Sequence, residues 1–196
     1  MIWRRKTGED MINPIQEGHP YGLDCSLRIT IEEEKMTNNP GGMLSWNLEE
    51  IARALKIGTD DVREYFTDGR RVSFILERRI AYEILKGRLA PSEGAGFDIV
   101  DPQGGKWEVR SISSGGIYFC PSYMVGSGRS FNRAGFLKKT GEIKGYIVCD
   151  IESFPNVPFW IIPVRQVREW WDAGDLGTTT KISRKRALNL LQGDEK

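Results

Sequence analysis

Histidine is almost missing from this chain of 196 residues; His19 is the single one. That excludes histidine-rich zinc sites, HNH-type nucleases and triads that need a second histidine beside a nucleophile. Cysteine is scarce as well. Cys25, Cys120 and Cys149 lie far apart, are odd in number and include no CxxC pair. This argues against a disulfide framework or a zinc knuckle and predicts reduced, mostly core thiols in an intracellular protein. No apolar run approaches the roughly 18 residues of a membrane span. The opening residues 1–6 lead into polar sequence and not into the apolar stretch of a signal peptide. A cytoplasmic protein with no membrane partner is the expectation. An excess of one charge is also lacking: 28 Lys and Arg face 27 Asp and Glu, for a net charge of +1. A histone-like polycation is excluded, and a locally basic groove is not.

What is present reads as one α/β domain with a helical arm. Residues 1–69 form the arm and residues 70–196 the core. Over 1–45 the chain is loop-rich, with an alternating strand at 27–31 and a turn cluster at 38–42. Residues 46–67 are helical in two pieces. Asn47 caps the first, with Glu49 and Glu50 in its opening turn. Thr59 caps the second. Ala52, Ile57 and Val62 stand where a helix-turn-helix packs its two helices. Lys56 sits where that motif prefers glycine, and Asp60 and Asp61 open what would be the recognition helix, where they would meet phosphates badly.

Residues 71–87 make the strongest helix, ended by Gly87. Val72, Leu76, Ile80 and Ile84 form one stripe, and Glu77 falls inside it. A carboxylate aimed into a core is costly unless something compensates it. Residues 96–112 read as a β-hairpin turning at 101–105. Its second strand alternates: Trp107 and Val109 face the core, while Lys106, Glu108 and Arg110 share the other face. A register that pairs Asp98 with Glu108 brings two carboxylates together. Two such neighbours repel, so one is held protonated or the pair holds a divalent cation, for which Mg2+ is the natural candidate. Beyond the hairpin come a Gly/Ser-rich aromatic stretch, a basic helical segment, buried strands at 145–151 and 159–164, and a short helix at 167–173. The chain ends in a basic strand or turn that enters a helix.

The residues around Asp98, followed on the next strand by Trp107, Glu108, Val109 and Arg110, resemble the PD-(D/E)XK nuclease superfamily. Its pattern is Asp on one strand and Glu-x-Lys on the next, often after a helix bearing a glutamate. Here Glu77 would be that glutamate, with Glu83 as fallback. The small size and basic tail make the resemblance closest to type II restriction endonucleases. It implies a mixed central β-sheet flanked by helices, a restriction-endonuclease-like core, and a Mg2+-dependent, sequence-specific cleavage of double-stranded DNA by a homodimer. It implies Asp98 and Glu108 as metal ligands and Glu77 as a group that tunes the site. One residue departs from the pattern. Arg110 stands in the lysine position and cannot act as a base, though it can orient water and stabilise charge on the phosphate. Lys106, two residues earlier on the same face, is the substitute.

DNA contacts are expected from two segments. Ser127, Arg129, Asn132 and Arg133 combine flexible glycines with side chains that read bases, and Lys138 and Lys139 suit phosphates. Arg184 and Lys185, with Arg186, are a second phosphate-binding candidate. Trp170 and Trp171 are expected in the core or a dimer contact. A GIY-like string at 116–118 is followed too soon by its partner motif to form the second strand of that nuclease type. Two other classes stay open. A non-catalytic DNA-binding protein, either an inactive nuclease relative or a helix-turn-helix regulator, would bind DNA without cleaving it. A protein-interaction module would carry Lys106, Glu108 and Arg110 as a surface ion-pair ladder.

Overall fold

The computed structural model describes residues 39–92, 95–124 and 128–193. The expected strand at 27–31, His19, Cys25 and Ser127 therefore lie outside the described residues. The described chain is α/β: a six-stranded, mixed and strongly curled sheet with six helices.

In chain order come β1 (Gly41–Ser45), α1 (Leu48–Leu55), α2 (Thr59–Thr67), α3 (Gly69–Arg79), β2 (Arg88–Leu89), β3 (Ile99–Val100) and β4 (Lys106–Ile112). Then follow β5 (Ile117–Tyr118), α4 (Arg133–Glu142), β6 (Gly145–Asp150), β7 (Asn156–Pro163), α5 (Val164–Asp172), β8 (Lys181–Ile182) and α6 (Arg184–Gln192). The large sheet runs β1-β7-β6-β4-β3-β2, and β5 and β8 pair separately. Only β4 and β6 are parallel, with Glu108 level with Tyr146 and Arg110 with Val148. All six residues of β6 are buried, as expected of a strand covered on both faces.

The period-2 pattern of β4 sorts its side chains onto two cores. Trp107 and Val109 join Ile147, Cys149, Val72, Leu76 and Ile80 under α1–α3. Ile112 joins Tyr146, Val148, Phe136, Ile162 and Trp170 under α4–α6. Cys120 and Cys149 are free and buried, and burial pushes the Cys149 thiol up to about 12. Both behave as the core thiols expected.

Several elements differ from the sequence reading. Gly41 and Gly42 of the expected turn cluster belong instead to β1, an edge strand on β7. Gly41 permits this, because a Cβ there would run into the Phe159 carbonyl. Residues 41–67, assigned to the arm, thus add a strand and two helices to the same core as the rest. The 71–87 helix is α-helical only to Arg79 and continues as a π-helical turn, Ile80–Ile84. Gly58, not Thr59, is the N-cap of α2, and its N–H donates to Asp61 Oδ2 at 3.0 Å. Asn47 does cap α1, accepting from the Glu50 N–H at 3.0 Å. Lys56 holds the left-handed conformation (φ 56°) that glycine would favour at the end of α1.

Candidate functional site

The parity of β4 sends Glu108 and Arg110 to the face away from Trp107, beside α4. Along one edge β4 pairs with β6, with Glu108 beside Tyr146; along the other its neighbour β3 is only two residues long and stops short of Glu108. Pairing Ile99 with Trp107 and Val100 with Lys106 carries Asp98 to the level of Glu108. There the ladder slips by one position: the Asp98 N–H donates to the Trp107 carbonyl at 2.9 Å. The Asp98 carboxylate takes over as acceptor for the Val109 N–H, at 2.7 Å. Local slips of this kind re-aim side chains at sheet edges.

Glu108 is 5% exposed and is held by two cations. Arg110 Nη2 lies 2.6 Å from its Oε1, and Lys139 Nζ binds its Oε2. Arg110 also donates to the Cys120 carbonyl at 3.2 Å. Lys139 comes from α4, is 7% exposed, and also donates to the Gly96 carbonyl. Gly96 adopts φ 77°, a left-handed conformation in which glycine is unstrained. Together with Glu77 and Ser73 of α3, these groups line a cleft of about 700 Å³. The lining also takes in residues of the 113–123 segment, among them Tyr118 and Tyr123, and Lys181.

Glu77, Asp98, Glu108 and Glu142 thus line one cavity with Arg110, Lys138, Lys139 and Lys181, and the three less exposed acids feel one another. Burial, and then the Asp98 charge, raise Glu77 from an ordinary 4.5 to about 7. Burial and the Glu108 charge raise Asp98 from 3.8 to about 6, against the pull of the Val109 N–H, Arg110 and Lys139. Burial works against the charge of Arg110, but Glu108 and Asp98 outweigh it and its pKa rises. The charged arginine is therefore fixed in place.

A pH prediction follows. A folded-state carboxyl pKa above the unfolded value means that the native state binds more protons in between. Stability then falls as pH rises, here from about pH 4 to about pH 7. Glu77→Gln mimics the neutral carboxyl and removes that decline. In urea unfolding, the variant should gain more over the wild type at pH 8 than at pH 5. An equal difference at both pH values would refute the assignment to Glu77.

The other sequence-nominated residues are dispersed. Lys138 is exposed on the cleft rim. Lys106 is exposed with Nζ 4.9 Å from the Phe97 ring centroid, outside the cleft lining. Asn132 caps α4, accepting from the Gly135 N–H at 2.9 Å. Arg129 donates to the Ser122 carbonyl at 3.0 Å, and the Arg133 guanidinium lies 5.2 Å from the Trp171 ring centroid. Arg184 forms two hydrogen bonds to the buried Asp150, at 2.9 and 2.6 Å, while Lys185 is exposed on α6. Glu83, the fallback for Glu77, is paired with Arg79 at 2.7 Å. Trp170 is buried in the second core.

Sequence reasoning placed Lys139 among the phosphate contacts, yet the structure sets it against Glu108. A signal for this exists. Phe136, Lys139 and Thr140 occupy one helical face, so the lysine falls on a buried stripe, as Glu77 does on α3.

Among the described residues, no group of three or more His, Cys, Asp or Glu is arranged to hold a metal ion. Mg2+ asks less of a protein, taking one or two carboxylates and filling its shell with water and phosphate oxygens. Asp98 and Glu108 are hard oxygen donors of that number. That donor set is of the kind Mg2+ takes, with both Glu108 oxygens here held by Arg110 and Lys139. Among the described residues no helix is long and apolar enough to cross a membrane. Comparison of the chain with known protein families, with characterised proteins and with solved structures finds no match.

Proposed function

We propose that this protein is a Mg2+-dependent, sequence-specific endonuclease of double-stranded DNA. In this reading the core is restriction-endonuclease-like, of PD-(D/E)XK type, and works as a symmetric homodimer. The observation that carries it is the meeting of Asp98, Glu108 and a buried lysine, Lys139, in one cleft at a hairpin edge. Helix, hairpin, basic helix and buried strand follow in the order that the sequence pattern implies. The lysine absent from the strand is supplied in space by α4.

Asp98 and Glu108 would hold Mg2+, which supplies a bound water of lowered pKa and polarises the phosphate. Arg110 keeps Glu108 oriented and adds a permanent positive charge beside the reacting centre. Lys139, facing the same cavity, is placed to hold a phosphate oxygen or the attacking water. Glu77, with its raised pKa, can exchange a proton with solvent in the cleft near neutral pH. Lys138 on the rim suits a flanking phosphate. In the overall reaction, water attacks phosphorus in line and the 3′ oxygen leaves.

The test is incubation with mixed plasmid and phage DNA in Mg2+, with EDTA, Asp98→Asn and Glu108→Gln as controls. Discrete fragments are expected. They should disappear with EDTA and fall by at least a hundredfold in either variant. A folded protein that cuts nothing with Mg2+ or Mn2+ would overturn the enzymatic reading.

One observation favours the non-catalytic alternative: both oxygens of Glu108 are already satisfied, as in an ion-pair network that only supports structure. A gel shift on the same DNA without cleavage would select it. The helix-turn-helix version is disfavoured by the exposed Asp60, Asp61 and Glu64 on α2. A surface ion-pair ladder, as an interaction module would carry, is disfavoured by the burial of Glu108.

A further inference from the structure

Two cations hold Glu108, and they are not equivalent. Arg110 grips one oxygen while its guanidinium is also tied to the Cys120 carbonyl, next to its own strand. Its planar fork is fixed by these bonds. Lys139 grips the other oxygen from across the cleft, on a flexible four-carbon stem whose second partner is the Gly96 carbonyl. Lys139 itself lines that cavity, so its head group faces the cleft from α4. Each cation has a carboxylate oxygen and a backbone carbonyl as partners; what differs is the scaffold, a planar fork on the strand against a flexible stem on the helix.

We propose that Lys139 is an exchangeable counter-ion, holding the Glu108 oxygen that a divalent cation takes and turning toward a phosphodiester once displaced. This rests on the nuclease reading given above and adds to it a gate on metal entry. The metal-free site is closed by its own lysine, so metal binding and release of Lys139 are a single event.

The experiment is a calorimetric titration of the whole protein with Mn2+, without DNA. Wild type, Lys139→Met, Lys139→Arg and Asp98→Asn are compared. Lys139→Met should bind Mn2+ at least tenfold more tightly than wild type. Lys139→Arg, which keeps the charge, should not. A second measurement uses the wild type alone, so that a folding defect in the methionine variant leaves the proposal testable. Acylation of Lys139, read by mass spectrometry, should be at least fivefold faster with Mn2+ than without it.

Unchanged affinity in Lys139→Met, or acylation indifferent to Mn2+, would overturn the proposal while saturable binding lost in Asp98→Asn left the metal site standing. Equal binding by wild type and Asp98→Asn would instead refute the metal site, and the nuclease reading with it. If wild type binds nothing and Lys139→Met binds, the gate is upheld. If neither binds, both readings fail.

Discussion

Glu108→Ala is expected to destabilise the fold by about 3–5 kcal/mol, the usual cost of stranding buried charge. The reason is the asymmetry of an ion-pair network. The wild-type carboxylate neutralises Arg110 and Lys139, whose side chains are only 18% and 8% exposed. Without it, two like charges of low exposure face each other with no carboxylate between them. Urea unfolding followed by tryptophan fluorescence would read the loss. Glu108→Gln should cost less, since its amide oxygen still accepts from one cation. In Glu108→Gln/Lys139→Met the stranded ammonium is gone, so the two losses should fail to add, with a coupling of about 1–3 kcal/mol. Strict additivity would show that the Glu108–Lys139 contact is energetically idle. The same reasoning makes glutamine, and not alanine, the better control for cleavage.

Arg184→Ala is the second large effect, toward the lower end of about 3–5 kcal/mol because the arginine is itself partly exposed. Asp150 ends the central strand β6 with its side chain 2% exposed, and Arg184 opens α6 with its side chain 38% exposed. Their two hydrogen bonds fasten α6 to the sheet, and Ser153 adds a third to the same carboxylate at 2.8 Å. Removing Arg184 leaves Asp150 buried with one neutral donor. Lys185→Ala, one residue away and exposed, should change stability by no more than about 0.5 kcal/mol. If Arg184 instead served chiefly to hold phosphate, Arg184→Ala would leave the urea midpoint alone and weaken DNA binding in a salt-dependent way.

The contrast between these neighbours shows what a linear reading can and cannot extract. Arg184, Lys185 and Arg186 look alike as a charge run. Only the fold tells that the first lies over a buried aspartate 34 positions earlier. The alternation in β4 was different in kind. Period 2 follows from backbone geometry alone, so the division between Trp107 and Val109 on one side and Glu108 and Arg110 on the other could be read directly. Glu77 was visible for a similar reason, as a charge on an apolar helical stripe. Lys139 carried the same mark but lay in a cluster with Arg133 and Lys138, where clustering suggested a solvated basic face. The edge strand β1 was hidden by Gly41 and Gly42, residues of low strand propensity whose value lies in their contact with Phe159 of another strand. The π-helical turn has no local signature that distinguishes it from the end of an α-helix.

The pairing of β1 with β7 sets a timetable for the growing chain. Leu44 lies opposite Val157, more than a hundred residues further on. At ordinary rates of synthesis, β1 waits on the order of ten seconds for its partner. During that interval α1–α3 have been made, but the sheet face that covers Val62, Leu76 and Ile80 still lacks β6 and β7. The nascent protein therefore presents an apolar helical cluster to its surroundings before the sheet can close over it. A chain arrested anywhere before residue 156 should be a client of chaperones and a ready substrate for proteases, whereas the finished chain should be neither.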